Sequence, residues 1–306
     1  MAKKEYPLVT MRIMTYNHEN YIREALMGAF SQTYSPLEII ISDDNSKDNT
    51  FQIIKQIVAD YKGNHIIKVN KNNINLGISE HLNKIMKMSS GELLIGAAGD
   101  DISFPNRVET IVNIWLEGDG KYKSFFSNAI KIDERSNSLG IYFKEIPLFA
   151  NKLNDFIFDK RKIKRKIFEP CVWQLGATQA FEKSLFEIYG RGNAKALQED
   201  GVYAFRALLQ GEVFYISEPL IKYRIHSSSI SNLGTPNSLK KFKKTQKYYK
   251  LTQLNDAKLT NYSNKKLLKK LYFYYLISYF EGILYSIPFY SNIVFYMKKI
   301  VKRIIK

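Results

Sequence analysis

The chain has 306 residues, a formal net charge of +17 and a single cysteine, Cys171. That length accommodates one large α/β domain with an appendage or two small domains, and a lone cysteine excludes an intrachain disulfide framework and fits a reducing compartment. The charge is uneven: residues 1–239 hold 30 Lys+Arg and 27 Asp+Glu (30 − 27 = +3), whereas residues 240–306 hold 16 and 2 (16 − 2 = +14). A near-neutral body with a basic, aromatic tail argues against nucleic acid as the partner and for an anionic membrane surface. Met1 to Pro7 is charged and has no apolar core of signal-peptide length, so a cytoplasmic protein is expected.

In chain order, residues 7–15 read as a strand, and Asn20 to Gln32 carries apolar residues at helical spacing. Tyr34-Ser35-Pro36 breaks that helix, and Leu37 to Ser42 is a nearly continuous apolar strand of the kind covered on both faces, ending in Asp43-Asp44. A helix over Thr50 to Tyr61, a strand over His65 to Asn70, a turn at Asn75-Leu76-Gly77 and a helix over Ile78 to Met88 follow, with Gly91 read as the helix's C-terminal glycine. The fourth strand is Glu92 to Ala98. Four strands alternating with three helices predict a mostly parallel sheet with helices on both faces, and right-handed crossovers bring the strand tips to one edge. Tyr16, Asp44, Asp100 and Asp101 are therefore expected together.

The stretch Leu93 to Ile102 narrows from large apolar to small residues and then presents two carboxylates, Asp100 and Asp101. Ligands of α/β sheets sit beyond the carboxyl ends of the strands, and a carboxylate pair there is suited to magnesium or manganese bridging to a diphosphate. The other reading is a helix cap or turn.

A helix over Asn106 to Leu116 and a strand over Ser124 to Asp133 come next, and the pattern then weakens as far as Glu169, through the basic run 160–166. A helix over Phe181 to Tyr189, the acid pair Glu199-Asp200, a helix over Val202 to Leu209, strands at Val213 to Ile216 and Ile221 to His226, and a small-polar loop at 227–231 complete the body. In the tail, Leu271 to Tyr290 approaches the length of a membrane span but holds Glu281 and nine Tyr or Phe. Residues 293–306 segregate apolar and basic side chains as a helix lying in a membrane surface does; an ordinary packing helix or a dimer interface is the other reading.

Together these segments resemble the family 2 glycosyltransferases. The resemblance rests on Met14-Thr15-Tyr16-Asn17, Ser31-Gln32-Thr33-Tyr34 with Leu37-Glu38-Ile39-Ile40, Asp43 to Thr50, Asn75-Leu76-Gly77, Gly99-Asp100-Asp101 with Pro105-Asn106-Arg107, Glu199-Asp200, and Tyr223-Arg224-Ile225-His226, in order over residues 7–232. It implies a GT-A α/β fold over residues 1–235, with a nucleotide-sugar half at about 1–133 and an acceptor half at about 134–235, followed by a helical, membrane-associating tail over 236–306. It implies transfer of a hexose from a UDP-sugar to a saccharide hydroxyl, lipid-linked on the evidence of the tail, with inversion and with a divalent metal. Residue by residue, Thr15 and Tyr16 would line the base pocket, Asp44 would accept from the base, and Asp100 would meet the ribose or diphosphate. Asp101 and His226 would hold the metal, and Asp200 would be the base. Arg107 and Asn83 are structural in this reading, and Cys171 and Trp173 fall where acceptor contacts occur. The chain departs from the family in having Ala98 where many members carry Asp, and Arg12 in the first strand, expected to face an edge or a partner. The rivals are a nucleotidyltransferase, which needs a Gly-rich phosphate loop after the first strand that Tyr16-Asn17-His18-Glu19 does not supply, and a non-catalytic nucleic-acid or acidic-lipid binding protein.

Overall fold

The computed structural model describes residues 6–145, 151–152, 174–226, 236–260 and 265–284. The first four strands, β1 (Val9–Thr15), β2 (Leu37–Asp43), β3 (Ile66–Lys71) and β4 (Leu93–Ala98), alternate with α1 (Ile22–Phe30), α2 (Thr50–Asp60) and α3 (Ile78–Met88). They pair in parallel as β3-β2-β1-β4, as alternation with helices predicts.

Strand parity sorts the core. Val9, Met11 and Ile13 point to one face with Leu37, Ile39, Ile41, Leu93 and Ile95. There they pack on α1, α2 and α4 (Arg107–Glu117) through residues such as Leu26, Ile54 and Ile111. Thr10, Arg12 and Met14 point the other way, toward α3, α5 (Ser184–Tyr189) and α6 (Glu199–Gln210), where Leu94, Phe181, Tyr203 and Phe205 form a second apolar cluster. Arg12 is thus buried, 4% exposed, on a strand flanked by β2 and β4. The edge or partner expected for it is replaced by an internal site.

The second half of the sheet is mixed. β8 (Ala180–Glu182) runs antiparallel to β4 and to β6 (Tyr122–Ile132). β9 (Glu212–Arg224) runs parallel to β6, and β5 (Ile102–Ser103) antiparallel to β9. β7 (Ser138–Ile141) pairs with β6. Strands of two or three residues carry no readable period, so β5 and β8 were not expected; Phe181, read as helix, lies in β8. The two strands expected at 213–216 and 221–226 are one strand in which Pro219 sits opposite Asn128, at a register shift where the missing N–H is tolerated.

Gly91 serves a different purpose from the one expected. α3 ends through Ser89 in extended geometry, and a Cβ on Gly91 would lie 2.4 Å from the Thr10 nitrogen. The glycine permits a close backbone approach to β1, where its N–H donates to Thr10 Oγ1.

Helices α7 (Pro236–Leu259) and α8 (Lys265–Leu284) pair with each other, and Leu254, Ala257, Leu267 and Leu271 join the α6 cluster. A buried Arg206–Asp256 ion pair, 2.8 Å, and a Gln246–Gln198 hydrogen bond, 2.7 Å, lock α7 onto α6. Among the described residues no helix is long and apolar enough to cross a membrane. The run 160–166, Cys171, Trp173, the loop 227–231 apart from its flanks, the end of the 271–290 stretch and the whole of 293–306 lie outside the described residues.

Candidate functional site at the strand tips

The carboxyl ends of β1, β2 and β4 meet at one edge, tied by Asp44 N–H to Thr15 O and Gly99 N–H to Met14 O, each 2.9 Å. Thr15 is 3% exposed and its Oγ1 has no hydrogen-bond partner among the described residues. A Cβ on Gly99 would fall 2.4 Å from that oxygen, so glycine is what lets the β4 turn lie against β1. Tyr16, one residue on, is 39% exposed at the rim. Asp44 is buried and accepts from Asn72 Nδ2 (2.8 Å) and Leu76 N–H (2.9 Å) on Oδ1 and from Gly77 N–H (2.9 Å) on Oδ2. It thereby fixes the loop leading into α3, and Oδ2, with one donor, retains acceptor capacity.

The acidic turn after β4 does not cap α4. Asp100 Oδ2 lies 2.9 Å from His226 Nε2 and 3.8 Å from His18 Nε2. Asp101 Oδ1 accepts from Arg224 N–H at 2.8 Å. Burial of Asp101 beside the Asp100 charge holds its carboxyl well above the usual range, whereas His226 and His18 overcome burial and hold Asp100 below it. Arg224, 1% exposed, clamps the turn: Nε donates to Asp100 O (2.8 Å), Nη1 to Asp133 O (2.9 Å) and Nη2 to Glu24 (2.5 Å), with Tyr21 stacked 4.7 Å from the guanidinium. The clamp delivers His226 to Asp100 from a residue 126 positions away in sequence.

Asp200 sits in the first turn of α6, where the helix dipole favours an anion. Its Oδ1 accepts from Gly201 N–H at 2.7 Å, and its carbonyl accepts from Gln179 Nε2 at 2.8 Å. Burial nonetheless pushes its pKa up to about 6, and burial beside Asp200 pushes Glu199 up to about 8. A Cβ on Gly176 would lie 3.2 Å from Asp200 Oδ2, so this carboxyl rests on the 3-10 turn Gly176–Thr178. Arg107 bridges that turn to β4, with Nη2 donating to Ala177 O (3.0 Å) and Gly96 O (2.5 Å), and Nη1 to Ser103 Oγ (2.9 Å). The strand-tip acids and Asp200 are therefore mounted on one continuous polar scaffold. Asn83 is structural too: its amide exchanges hydrogen bonds with Gly192, in the loop before α6.

Of the site residues expected from sequence, Thr15, Asp44, Asp100, Asp101 and His226 converge on this edge. Asp200 stands apart from them at the start of α6, against the Gly176–Thr178 turn. His18 was passed over, yet its ring joins Asp100 and His226, with Nδ1 buried and unpartnered. Its one legible signal is its place in the loop directly after β1. His81 is a core histidine hydrogen-bonded to Ser42 Oγ at 2.6 Å, and His65 stacks on Tyr61 away from the site.

Among the described residues no three His, Cys, Asp or Glu side chains surround a common cation position. A cation shared with a substrate diphosphate needs only one or two protein ligands. The adjacent Asp100 carboxylate and His226 imidazole, next to the orphaned His18 nitrogen, fit that demand.

The comparisons with known proteins agree with this architecture. A glycosyltransferase of Rickettsia typhi is 31% identical over 229 residues, covering 74% of this chain and 66% of its own length; the chain thus spans just under two thirds of that relative. The fold is similar to Staphylococcus aureus TarS in complex with UDP-GlcNAc, TM-score 0.61 at 16% identity, over 93% of this chain and 77% of that one. It is also similar to a mannosyltransferase of Pyrobaculum calidifontis in complex with GDP-Man and Mn2+, TM-score 0.57 at 14% identity, over 98% and 81%. The family model described as glycosyl transferase family 2 matches residues 11–172, and the chain belongs to that family.

Proposed function

We propose that the chain transfers a hexose from a UDP-sugar to the hydroxyl of a saccharide acceptor with inversion of the anomeric centre, in cell-surface glycan biosynthesis. The observation that carries this reading is the pairing of two separate acidic sites on one scaffold: Asp100 with His226 at the β4 tip, and Asp200, its pKa pushed up by burial, at the start of α6. A sugar hydroxyl is a weak nucleophile and requires a positioned base, while a departing diphosphate requires its charge to be offset.

In this mechanism Thr15, Tyr16 and Asp44 receive the nucleoside, and Asp100 lies toward the ribose and diphosphate. Asp100 and His226, with Asp101 adjacent in the turn, would hold a divalent cation, manganese or magnesium, which offsets negative charge on the leaving diphosphate. Asp200 takes the proton of the acceptor hydroxyl as its oxygen bonds to the anomeric carbon. The bond from that carbon to the diphosphate oxygen breaks on the opposite face, and the electron pair leaves with UDP. An α-linked donor then yields a β-linkage.

Calorimetric titration with UDP, GDP and their sugars, with and without manganese, tests the assignment. The expected result is cation-dependent heat with UDP and UDP-hexose, and their slow hydrolysis to UDP. Absence of binding across the panel overturns it.

The acceptor we assign is lipid-diphosphate-linked, at the cytoplasmic face of the membrane. Support comes from α8, where Lys265, Lys269, Tyr272, Tyr279 and Phe280 are exposed along one stripe at helical spacing, with the aromatics at the C-terminal end. Basic residues beside interfacial aromatics match an anionic lipid surface. The full chain is expected to float with phosphatidylglycerol-containing vesicles at low salt, and the Tyr272→Ser/Tyr279→Ser/Phe280→Ser variant to sediment unbound. Equal flotation of both removes this stripe as the contact. Truncation of 240–306 is a poorer test, because α7 and α8 complete the core around α6.

A further inference from the structure

Arg12 is the feature the proposed mechanism leaves unused. It is a full positive charge in the middle of the central sheet, 4% exposed, with Nε buried and lacking a hydrogen-bond partner among the described residues. Burying an uncompensated charge is costly, so buried charges are balanced by nearby groups. The balance is not on its own strand. There Nη1 reaches only the weakly accepting sulfur of Met14, at 2.9 Å.

Register shows where the guanidinium goes. Arg12 is aligned with Ile40 of β2 and Gly96 of β4 on the face toward α3 and α6. A Cβ on Gly96 would lie 3.0 Å from Arg12 Nη2 and 3.1 Å from Gln179 O. Glycine at 96 therefore opens a slot beside the Gln179 backbone, and the Gln179 side chain carries the carbonyl of Asp200. Glu199, Tyr203 and Asp200, all on α6, are the ionisable groups near Arg12; burial raises the Tyr203 phenol to about 12, so the two acids are what can supply negative charge. The other ionisable groups facing it are His81 of α3 and Arg107 of α4. Both are cationic or neutral, so neither supplies the counter-charge.

We propose that Arg12 is a positioning residue for the base, a buried cation that reaches through the Gly96 slot to face the Glu199–Asp200 pair and keeps one negative charge on it. This rests on the assignment of Asp200 as base. Two buried acids side by side do not both ionise, and one neighbouring cation supports one carboxylate. Burial pushes Asp200 up to about 6 and Glu199 up to about 8, and Arg12 acts to lower both. One negative charge on the pair then balances Arg12 and leaves the cluster neutral overall. The first-strand arginine is then the condition for a usable base in so dry a setting.

The test is the pH profile of transfer in Arg12→Lys and Arg12→Gln, together with 13C NMR titration of the Asp and Glu carboxyls, which reads the pair whether or not turnover occurs. In Arg12→Gln the acid limb of kcat and the Asp200 carboxyl titration are expected to move up together by about one unit or more, with UDP affinity unchanged. Arg12→Lys, which retains the charge, is expected to remove most of that shift and keep the acid limb near its wild-type position. Should Arg12→Gln fail to fold, Glu199→Gln/Arg12→Gln, in which one buried acid is removed with the cation, is compared with Glu199→Gln alone, and the same upward shift is expected. A folded variant whose acid limb and carboxyl titration match those of its Arg12-containing parent overturns the role of Arg12. Transfer that survives Asp200→Asn overturns the assignment of the base instead, so the two failures are distinguishable.

Discussion

Asp200→Asn is expected to lower kcat by about 10²- to 10⁴-fold, the range typical of a lost general base, while calorimetric affinity for UDP stays at the wild-type level. Asn preserves the shape at the start of α6 and can still accept the Gly201 N–H, but it cannot take a proton. The proposed donor site uses other elements, β1, β2, β4 and the end of β9, so it should be indifferent to the change. In the wild-type enzyme the same residue sets the acid limb. A base functions when ionised, and burial raises the Asp200 pKa to about 6; kcat should therefore fall as pH drops through about 6 and level off above it. Full activity in Asp200→Asn, or a limb in the ordinary carboxylate range, would remove Asp200 from the role.

The second large effect is at Asp100. Its Oδ2 is shared with His226 and lies near His18, and its backbone oxygen is held by Arg224. Asp100→Ala removes the one carboxylate that joins the β4 turn to the histidine delivered by β9, and leaves the Arg224 clamp in place because that clamp uses backbone. We expect the manganese-dependent increment in UDP affinity to be lost, by about 100-fold or more, with little change in thermal stability. His226→Ala should reproduce part of the loss. Retention of the increment in Asp100→Ala would sink the assignment, whereas loss of both binding and stability would indicate that the turn had collapsed.

Much of the site was legible from residue order because its parts lie where strands end. Apolar runs such as Leu37 to Ser42 and Leu93 to Ala98 mark buried parallel strands, and the polar residues that follow each run are at the sheet edge by topology alone. Tyr16, Asp44, Asp100 and Asp101 are placed at the edge in this way, whereas Thr15 follows from the family resemblance. The second half of the sheet was harder to read, since β5 and β8 are too short to show a period and Pro219 interrupts β9. His18 was missed because nothing in a lone histidine's neighbours tells whether it packs, as His81 does against Ser42, or joins a site.

The sequence by itself determined the family, the order of the first four strands and helices, and which polar residues gather at the strand-tip edge. It did so because these features depend on local period and on the fixed hand of crossovers. Only the tertiary structure decided which face each strand residue takes, and with it the destination of Arg12. It also decided that Asp101 serves the Arg224 backbone while Asp100 meets two histidines, and that α7 and α8 complete the core around the helix carrying Asp200. The physical reason is common to all three. A charge or an apolar face is satisfied by whatever the fold brings within a few ångströms, and those partners are distant in the chain: 50 residues for Arg206 and Asp256, 126 for Asp100 and His226, and further still for Arg12 and the Glu199–Asp200 pair.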